Sequence, residues 1–133
     1  MKYTSKSEFK KANYFGTGIP NFMFAKNMTG KTYMKPLKMI GKQDYFFVNV
    51  SFAQGARCFW HIHRGTTGGG QVLICTAGEG WYQEEGKKNT KFGSRFRYLY
   101  SFWCKTLAWC KKKLLVFTSC SRNSRQRFRH QMA

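Results

Sequence analysis

Hydrophobic and polar positions alternate over several short stretches of this chain, which is the pattern of half-buried β-strands. Tyr45–Phe52 is rich in aromatic and β-branched residues and predicts a strand, which residues 54–56 end in a turn at Gly55. Residues 58–63 predict the next strand, and the apolar residues 71–76 predict another. Short strands at this spacing favour an all-β sandwich or barrel.

The remaining signals are weaker and lie on either side of these strands. Residues 1–26 form a polar, basic lead, in which residues 8–13 favour a short helix. Residues 32–37 predict an edge strand, because Pro36 cannot donate a hydrogen bond to a central ladder. Residues 78–80, Gly-Glu-Gly, predict a hairpin turn, and residues 81–85 would be its return strand.

Two histidines on one predicted strand are the strongest candidate for chemistry. Alternate residues of a strand point the same way, so His61 and His63 share a face, about 7 Å apart along the strand. Two imidazoles at that spacing can reach a single divalent metal. A pair of strand histidines is more often structural, so the residues around this pair decide between the two interpretations.

Those surrounding residues form an ordered motif. Gly55, His61, His63, Gln71 and Gly78 follow the pattern G-x5-H-x-H…Q-x6-G. This resembles the first motif of the cupins, with glutamine where many cupins have glutamate. The resemblance extends from about residue 27 to residue 88. It is closest to small bacterial single-domain cupins, including the manganese-binding group that is similar to hydroxynitrile lyases.

The resemblance implies a fold, a ligand set and partners. The expected fold is a partial cupin barrel, a double-stranded β-helix of the jelly-roll type. His61, His63 and Gln71 would be the metal ligands, with Mn as the first expectation and Fe, Zn or Ni as the others. A small organic molecule would be the substrate, and the protein would form a homodimer. Lyases, isomerases, oxygenases and pure binding proteins share this fold, so the fold leaves the reaction open.

Composition is compatible with one soluble domain inside the cell. The chain has 133 residues, of which 42% are hydrophobic, and this is enough for a core. The five cysteines are odd in number and fit no zinc spacing, which favours reduced thiols. No apolar run approaches the roughly 18 residues of a membrane span, and no signal peptide follows Met1. We therefore expect a cytoplasmic protein that has no membrane partner.

The charge is distributed unevenly. The net charge is +19; residues 1–88 hold 13 of the 24 Lys and Arg and all 5 acidic residues, whereas residues 89–133 hold 11 basic residues and no acid. One interpretation is a nucleic-acid-binding tail, with the run Lys111-Lys112-Lys113 and the arginines of residues 122–129 on phosphates. The other is that the tail is read out of frame.

Back-translation favours the second interpretation. After a shift of one nucleotide, the codons of Trp103-Cys104 and of Trp109-Cys110 each give an unavoidable glycine, where the cupin family has glycine. Residues 104–110 can then read V-K-H-W-H-G-A, which restores the second cupin motif, with a histidine in place of Thr106. The A-rich codons of residues 87–89 put the shift near residue 88.

These observations divide the chain into three parts. Residues 1–26 are the lead, residues 27–88 the first part of the barrel, and residues 89–133 a non-native basic tail. As written, the chain would lack the closing strands and the last metal ligand, since neither Thr106 nor Ala108 is a good ligand. We therefore expect weak metal binding and no catalysis. Nucleic-acid binding by residues 89–133 is the alternative function.

Overall fold

A computed structural model of the protein describes residues 6–37, 45–63, 71–93, 98–101, 105–110 and 115–122. Nearly all of its regular structure is β-strand. The elements in chain order are α1 (Lys6–Ala12), β1 (Ile19–Pro20), a 3-10 turn (Ala25–Asn27), β2 (Met28–Thr29), β3 (Thr32–Pro36), β4 (Tyr45–Phe52), β5 (Arg57–Cys58), β6 (Gln71–Glu84), β7 (Thr90–Gly93), β8 (Tyr98–Ser101), β9 (Thr106–Trp109) and β10 (Leu115–Arg122).

The strands form two antiparallel sheets that share β6. The first sheet has the order β1-β3-β4-β10-β6-β8, and the second has the order β2-β5-β9-β6-β7. Neighbours in space are mostly distant in sequence, which is the jelly-roll arrangement rather than a meander. The predicted all-β barrel is confirmed.

The long strand β6 passes from one sheet to the other at a bend. Its register against β10 shifts opposite Val116 and Phe117, and Gly78 has a φ of +82°, which favours glycine. The predicted hairpin at Gly78 is therefore wrong, since a bulge bends a strand without reversing it. The chain reverses only after Glu84, at a turn where Gly86 has a φ of +76°.

Four strands follow residue 88, so the expectation that the closing strands are missing is also wrong. Strand β10 lies between β4 and β6, while β9 lies between β5 and β6. Ladder bonds use main-chain groups that nearly every residue carries, so a sequence of unusual composition can still pair. The origin of residues 89–133 is a separate question that pairing does not decide.

Two shorter predictions need adjustment. The predicted strand at residues 58–63 is reduced to Arg57–Cys58 and an isolated bridge at His61. Strand β3 is paired on both sides, with β1 and with β4, so it is not an edge strand. Pro36 is tolerated because it ends the strand. The strand Tyr45–Phe52 and the turn at Gly55, whose φ is +78°, are confirmed.

The core lies between the inner faces of the two sheets. Its members are buried apolar side chains from most of the strands: Met34, Val48, Val50, Phe52, Ala56, Cys58, Leu73, Cys75, Tyr82, Ala108 and Cys110. Ala108 and Cys110 belong to the predicted tail, so residues from both sides of residue 88 build one core.

Two buried polar side chains of β4 hold part of the N-terminal lead against the barrel. Asn49 and Ser51 alternate with the core residues of that strand, so they face the opposite side. The Asn49 amide donates to the Gly16 carbonyl at 2.8 Å, and the Ser51 hydroxyl donates to the Thr17 carbonyl at 3.2 Å. The lead is therefore fixed to the outer face of the first sheet.

Replacing Asn49 with alanine is expected to lower the free energy of unfolding by about 1–3 kcal/mol, because the half-buried Gly16 carbonyl loses its donor. Urea denaturation measures this change, and limited proteolysis should show earlier cleavage in the lead. Exposed Lys31 provides the control, because Lys31→Ala should change stability by less than about 0.5 kcal/mol. Equal stability of Asn49→Ala and Lys31→Ala would show that the lead is not held through Asn49.

Candidate metal centre

The two histidine side chains of the motif meet at their ring nitrogens. Nε2 of His61 lies 3.0 Å from Nε2 of His63, and the ring centroids are 4.9 Å apart. Both residues are half-buried and follow β5, where the turn at Gly55 starts the strand. The side chains of His61 and His63 therefore lie on the same face, as the sequence predicts.

A main-chain contact fixes the tautomer of His61, so that Nε2 carries the lone pair that a metal would bind. Nδ1 of His61 lies 2.7 Å from the carbonyl oxygen of Phe59, so it carries the proton and donates it there. A metal-binding histidine usually has its other nitrogen held in this way. Two nitrogens bound to one metal at about 2.1 Å and at right angles to each other are about 3.0 Å apart, so the pair fits a divalent metal.

Thr106 lies directly opposite His61. The two residues form an isolated antiparallel bridge, in which the Thr106 N–H donates to the His61 carbonyl at 2.8 Å and the His61 N–H donates back at 3.0 Å. Opposite residues share a face of the sheet, and Thr106 is only 1% exposed. Thr106 thus lies next to the histidine pair.

Gln71 lies on the inner side of the other sheet. It begins β6, is 8% exposed and pairs with Ser101. Burial alternates along this strand, so Gln71 faces the barrel interior together with Leu73 and Cys75. This orientation is compatible with a role beside the histidines, and the role itself stays a prediction.

Within the part of the chain that is described, no three His, Cys, Asp or Glu side chains lie close enough together to hold a metal. The predicted metal ligands are therefore two imidazole nitrogens and one side-chain amide oxygen, from His61, His63 and Gln71. Glu84, which the sequence does not single out, pairs with Thr106 on the side away from His61. A hairpin at residues 78–80 would give Glu84 different neighbours, so the predicted turn hides this pairing.

The basic segments that the sequence offers for nucleic-acid binding are Lys111–Lys113 and the arginines of residues 122–129. They fall outside the described residues except for Arg122, which ends β10. None of the described helices is long and apolar enough to cross a membrane. The cysteines that are described, Cys58, Cys75 and Cys110, are buried and reduced.

Burial makes the Cys58 thiol a weak acid. Desolvation raises its pKa from 9.0 to about 11, although a hydrogen bond with the main chain of Ala108 opposes the shift. The Cys58 Sγ accepts the Ala108 N–H at 3.0 Å and lies 3.3 Å from the Ala108 carbonyl. The thiol therefore links β5 to β9, the strand that carries Thr106.

This raised pKa predicts a loss of stability at high pH. Below pH 9 both the folded and the unfolded thiols are protonated, and between pH 9 and 11 only the unfolded thiol loses its proton, so unfolding becomes easier. The expected loss between pH 8 and pH 10.5 is about 2 kcal/mol. Urea denaturation at pH 8 and pH 10.5 measures it, and Cys58→Ala should show a correspondingly smaller decrease. An identical decrease in both proteins would refute the assignment to Cys58.

Comparison with solved structures places this architecture among the cupins. A cupin-like protein of Thermotoga maritima is 27% identical, with a TM-score of 0.71 over 83% of this chain and 80% of that one. A predicted oxalate decarboxylase from the same organism is 15% identical, with a TM-score of 0.61 over 78% and 91%. The DMSP lyase DddQ of Ruegeria pomeroyi is 12% identical, with a TM-score of 0.59 over 79% and 56%.

These likenesses establish the fold, which is a cupin-like β-barrel. No known family profile matches the sequence, and no curated protein matches it either.

Proposed function

We propose that this chain derives from a small metal-dependent cupin that acted on a small organic molecule, and that it is an impaired form of that protein. The observation that carries the proposal is the 3.0 Å contact between the His61 and His63 Nε2 atoms, with His61 oriented by the Phe59 carbonyl. Two of the similar structures are named as a lyase and a predicted decarboxylase, which supports a small substrate.

In this proposal His61, His63 and Gln71 hold a divalent metal, with manganese preferred and iron, zinc or nickel as alternatives. The metal would supply Lewis-acid activation of a bound oxygen group. The histidines position it, and the surrounding apolar core excludes water from that side. The group that the second cupin motif would supply as ligand and proton carrier is absent, because Thr106 takes its place.

The position of Thr106 also supports the frameshift. The shifted reading can give a histidine at position 106, the β9 position that bridges to His61. Codon degeneracy permits other residues at this position, whereas the glycines that replace Trp103 and Trp109 are forced. We therefore propose that residues 89–133 are an out-of-frame version of a normal cupin sequence, with the shift near residue 88 in the gene or in its recorded sequence.

Removing either histidine of the pair is expected to abolish the weak metal binding of this chain. Isothermal titration with Mn²⁺, Fe²⁺, Zn²⁺ and Ni²⁺ would compare the full chain with His61→Ala and with His63→Ala. His130→Ala is the matched control, because it removes the third histidine of the sequence. Binding that survives both pair substitutions, or is lost with His130→Ala, would place the metal elsewhere.

Nucleic-acid binding by residues 89–133 remains the second candidate, since this stretch has 11 basic residues and no acid. Such binding would weaken steeply with salt, because phosphate contacts release counterions. Fluorescence anisotropy with a labelled oligonucleotide at low and high salt measures it. Metal occupancy at His61 and His63 would be independent of this result.

A further inference from the structure

Three side chains lie in one row across the inner face of the second sheet. His61 bridges to Thr106, and Thr106 pairs on its other side with Glu84 of β6. Residues directly opposite each other in antiparallel strands project from the same face. Because Thr106 is 1% exposed, the whole row faces the barrel interior.

Thr106 and Glu84 form a non-hydrogen-bonded antiparallel pair, the kind in which the two residues lie closer together. The N–H and the C=O of Thr106 both bond to His61, so neither bonds to β6. The next ladder bond on the β6 side runs from the Glu85 N–H to the Lys105 carbonyl, at 2.9 Å. In a pair without mutual hydrogen bonds the Cα atoms are only about 4.5 Å apart and the side chains are closest. Glu84 is therefore the near neighbour of position 106.

The Glu84 carboxylate is oriented by two contacts. The Tyr82 hydroxyl donates to Oε1 at 3.3 Å, and the Lys87 ammonium pairs with Oε2. The Glu84 side chain is 14% exposed, whereas that of Glu85, which pairs with Lys105, is 67% exposed. Among the acidic residues in the described ranges, Glu84 alone shares the inner face with Thr106.

We propose that Glu84 is a positioning residue for the third histidine site of the metal centre, the site that Thr106 occupies in this chain. An imidazole at position 106 would lie between His61 and Glu84. Metal-binding histidines commonly donate their second N–H to a carboxylate, which fixes the ring and its tautomer. Glu84 is placed to accept that N–H. The inference rests on the proposed metal-binding function and adds the carboxylate that supports it.

A double-mutant cycle in the full chain tests this role. Thr106→His is compared with and without Glu84→Gln, and Mn²⁺ affinity is measured by calorimetry. Thr106→His alone should bind the metal more tightly, and adding Glu84→Gln should weaken binding 10- to 100-fold, which is the usual effect of losing an outer carboxylate. In the Thr106 background, Glu84→Gln should leave affinity unchanged within about 2-fold. A purely structural role of Glu84 would lower affinity equally in both backgrounds.

Two further measurements keep the outcomes distinct. Glu85→Gln is the matched control, because it removes an exposed carboxylate next in sequence, and it should have no effect. Nitrogen-15 NMR of the metal-free Thr106→His protein should show one tautomer of the introduced imidazole, and Glu84→Gln should mix the tautomers. If the Glu84→Gln protein does not fold, Glu84→Asp is used instead. Aspartate is one methylene shorter, so its carboxylate lies farther from position 106.

The results separate the two proposals. If Thr106→His does not tighten metal binding, the proposed metal centre is overturned. If Thr106→His tightens binding but neither Glu84→Gln nor Glu84→Asp weakens it, the metal centre stands and the role of Glu84 is overturned. An equal effect of Glu85→Gln and Glu84→Gln would also overturn that role, since it would indicate only a change in net charge.

Discussion

Phe52→Ala is expected to remove about 3–5 kcal/mol from the free energy of unfolding, the usual cost of deleting a buried phenyl ring. Phe52 is 0% exposed and belongs to the core cluster between the two sheets. Domains of this size are stable by only about 5–15 kcal/mol. Phe52→Ala should therefore remove a large fraction of the total stability and lower the urea midpoint strongly, which circular dichroism during urea denaturation would detect.

Phe22→Ala provides a control with the same chemical change at an exposed position. The Phe22 side chain is 79% exposed, so its removal should change stability by less than about 0.5 kcal/mol. Phe52 also pairs with Leu115 of β10, a strand that follows residue 88. A small effect of Phe52→Ala would mean that the core between β4 and its neighbours is not packed as described.

The parts of the fold that the sequence predicted are those with local signals. The aromatic and β-branched residues of Tyr45–Phe52 identify β4, and the glycine that directly follows this strand region identifies the turn at Gly55. The spacing of His61 and His63 also gave their shared face, because the direction of side chains along an extended segment is a local property. These features need no knowledge of the rest of the chain.

The parts that the sequence did not predict depend on distant partners. A glycine with positive φ favours a hairpin or a bulge equally well, and at Gly78 the pairing with β10 decides for the bulge. The strands β7, β8 and β9 have only four residues each, too few for a periodic signal. Glu84 escaped notice for the same reason, since its neighbour Thr106 lies on one of these short strands.

Restoring the other reading frame after Lys88 is expected to have the largest effect on function. The shifted sequence can carry a histidine at position 106, opposite His61, and it would replace residues 89–133, of which 11 are basic and none is acidic. Metal affinity should rise at least about 100-fold. Losing an outer-shell partner of a ligand lowers metal affinity about 10- to 100-fold, and gaining the ligand itself should have an effect at least as large. Solubility and activity on a small organic substrate should return with it.

Inserting or deleting one nucleotide near the codons of residues 87 and 88 produces the frame-restored protein. Calorimetry with Mn²⁺, the soluble fraction after expression and the sharpness of thermal unfolding compare it with the chain as written. Thr106→His in the present frame separates the two causes, because it adds the ligand but keeps the basic tail. It should restore part of the metal affinity and none of the solubility.

The sequence of the coding DNA around residue 88 gives the most direct test. A run of adenines there would provide a site for slippage, since the lysine and asparagine codons of residues 87–89 are rich in that base. The frameshift hypothesis fails if the present chain binds stoichiometric metal and turns over substrate as well as the restored one. In that case the side chains of β9 and β10 as written, including Thr106, would be those of a functional cupin barrel.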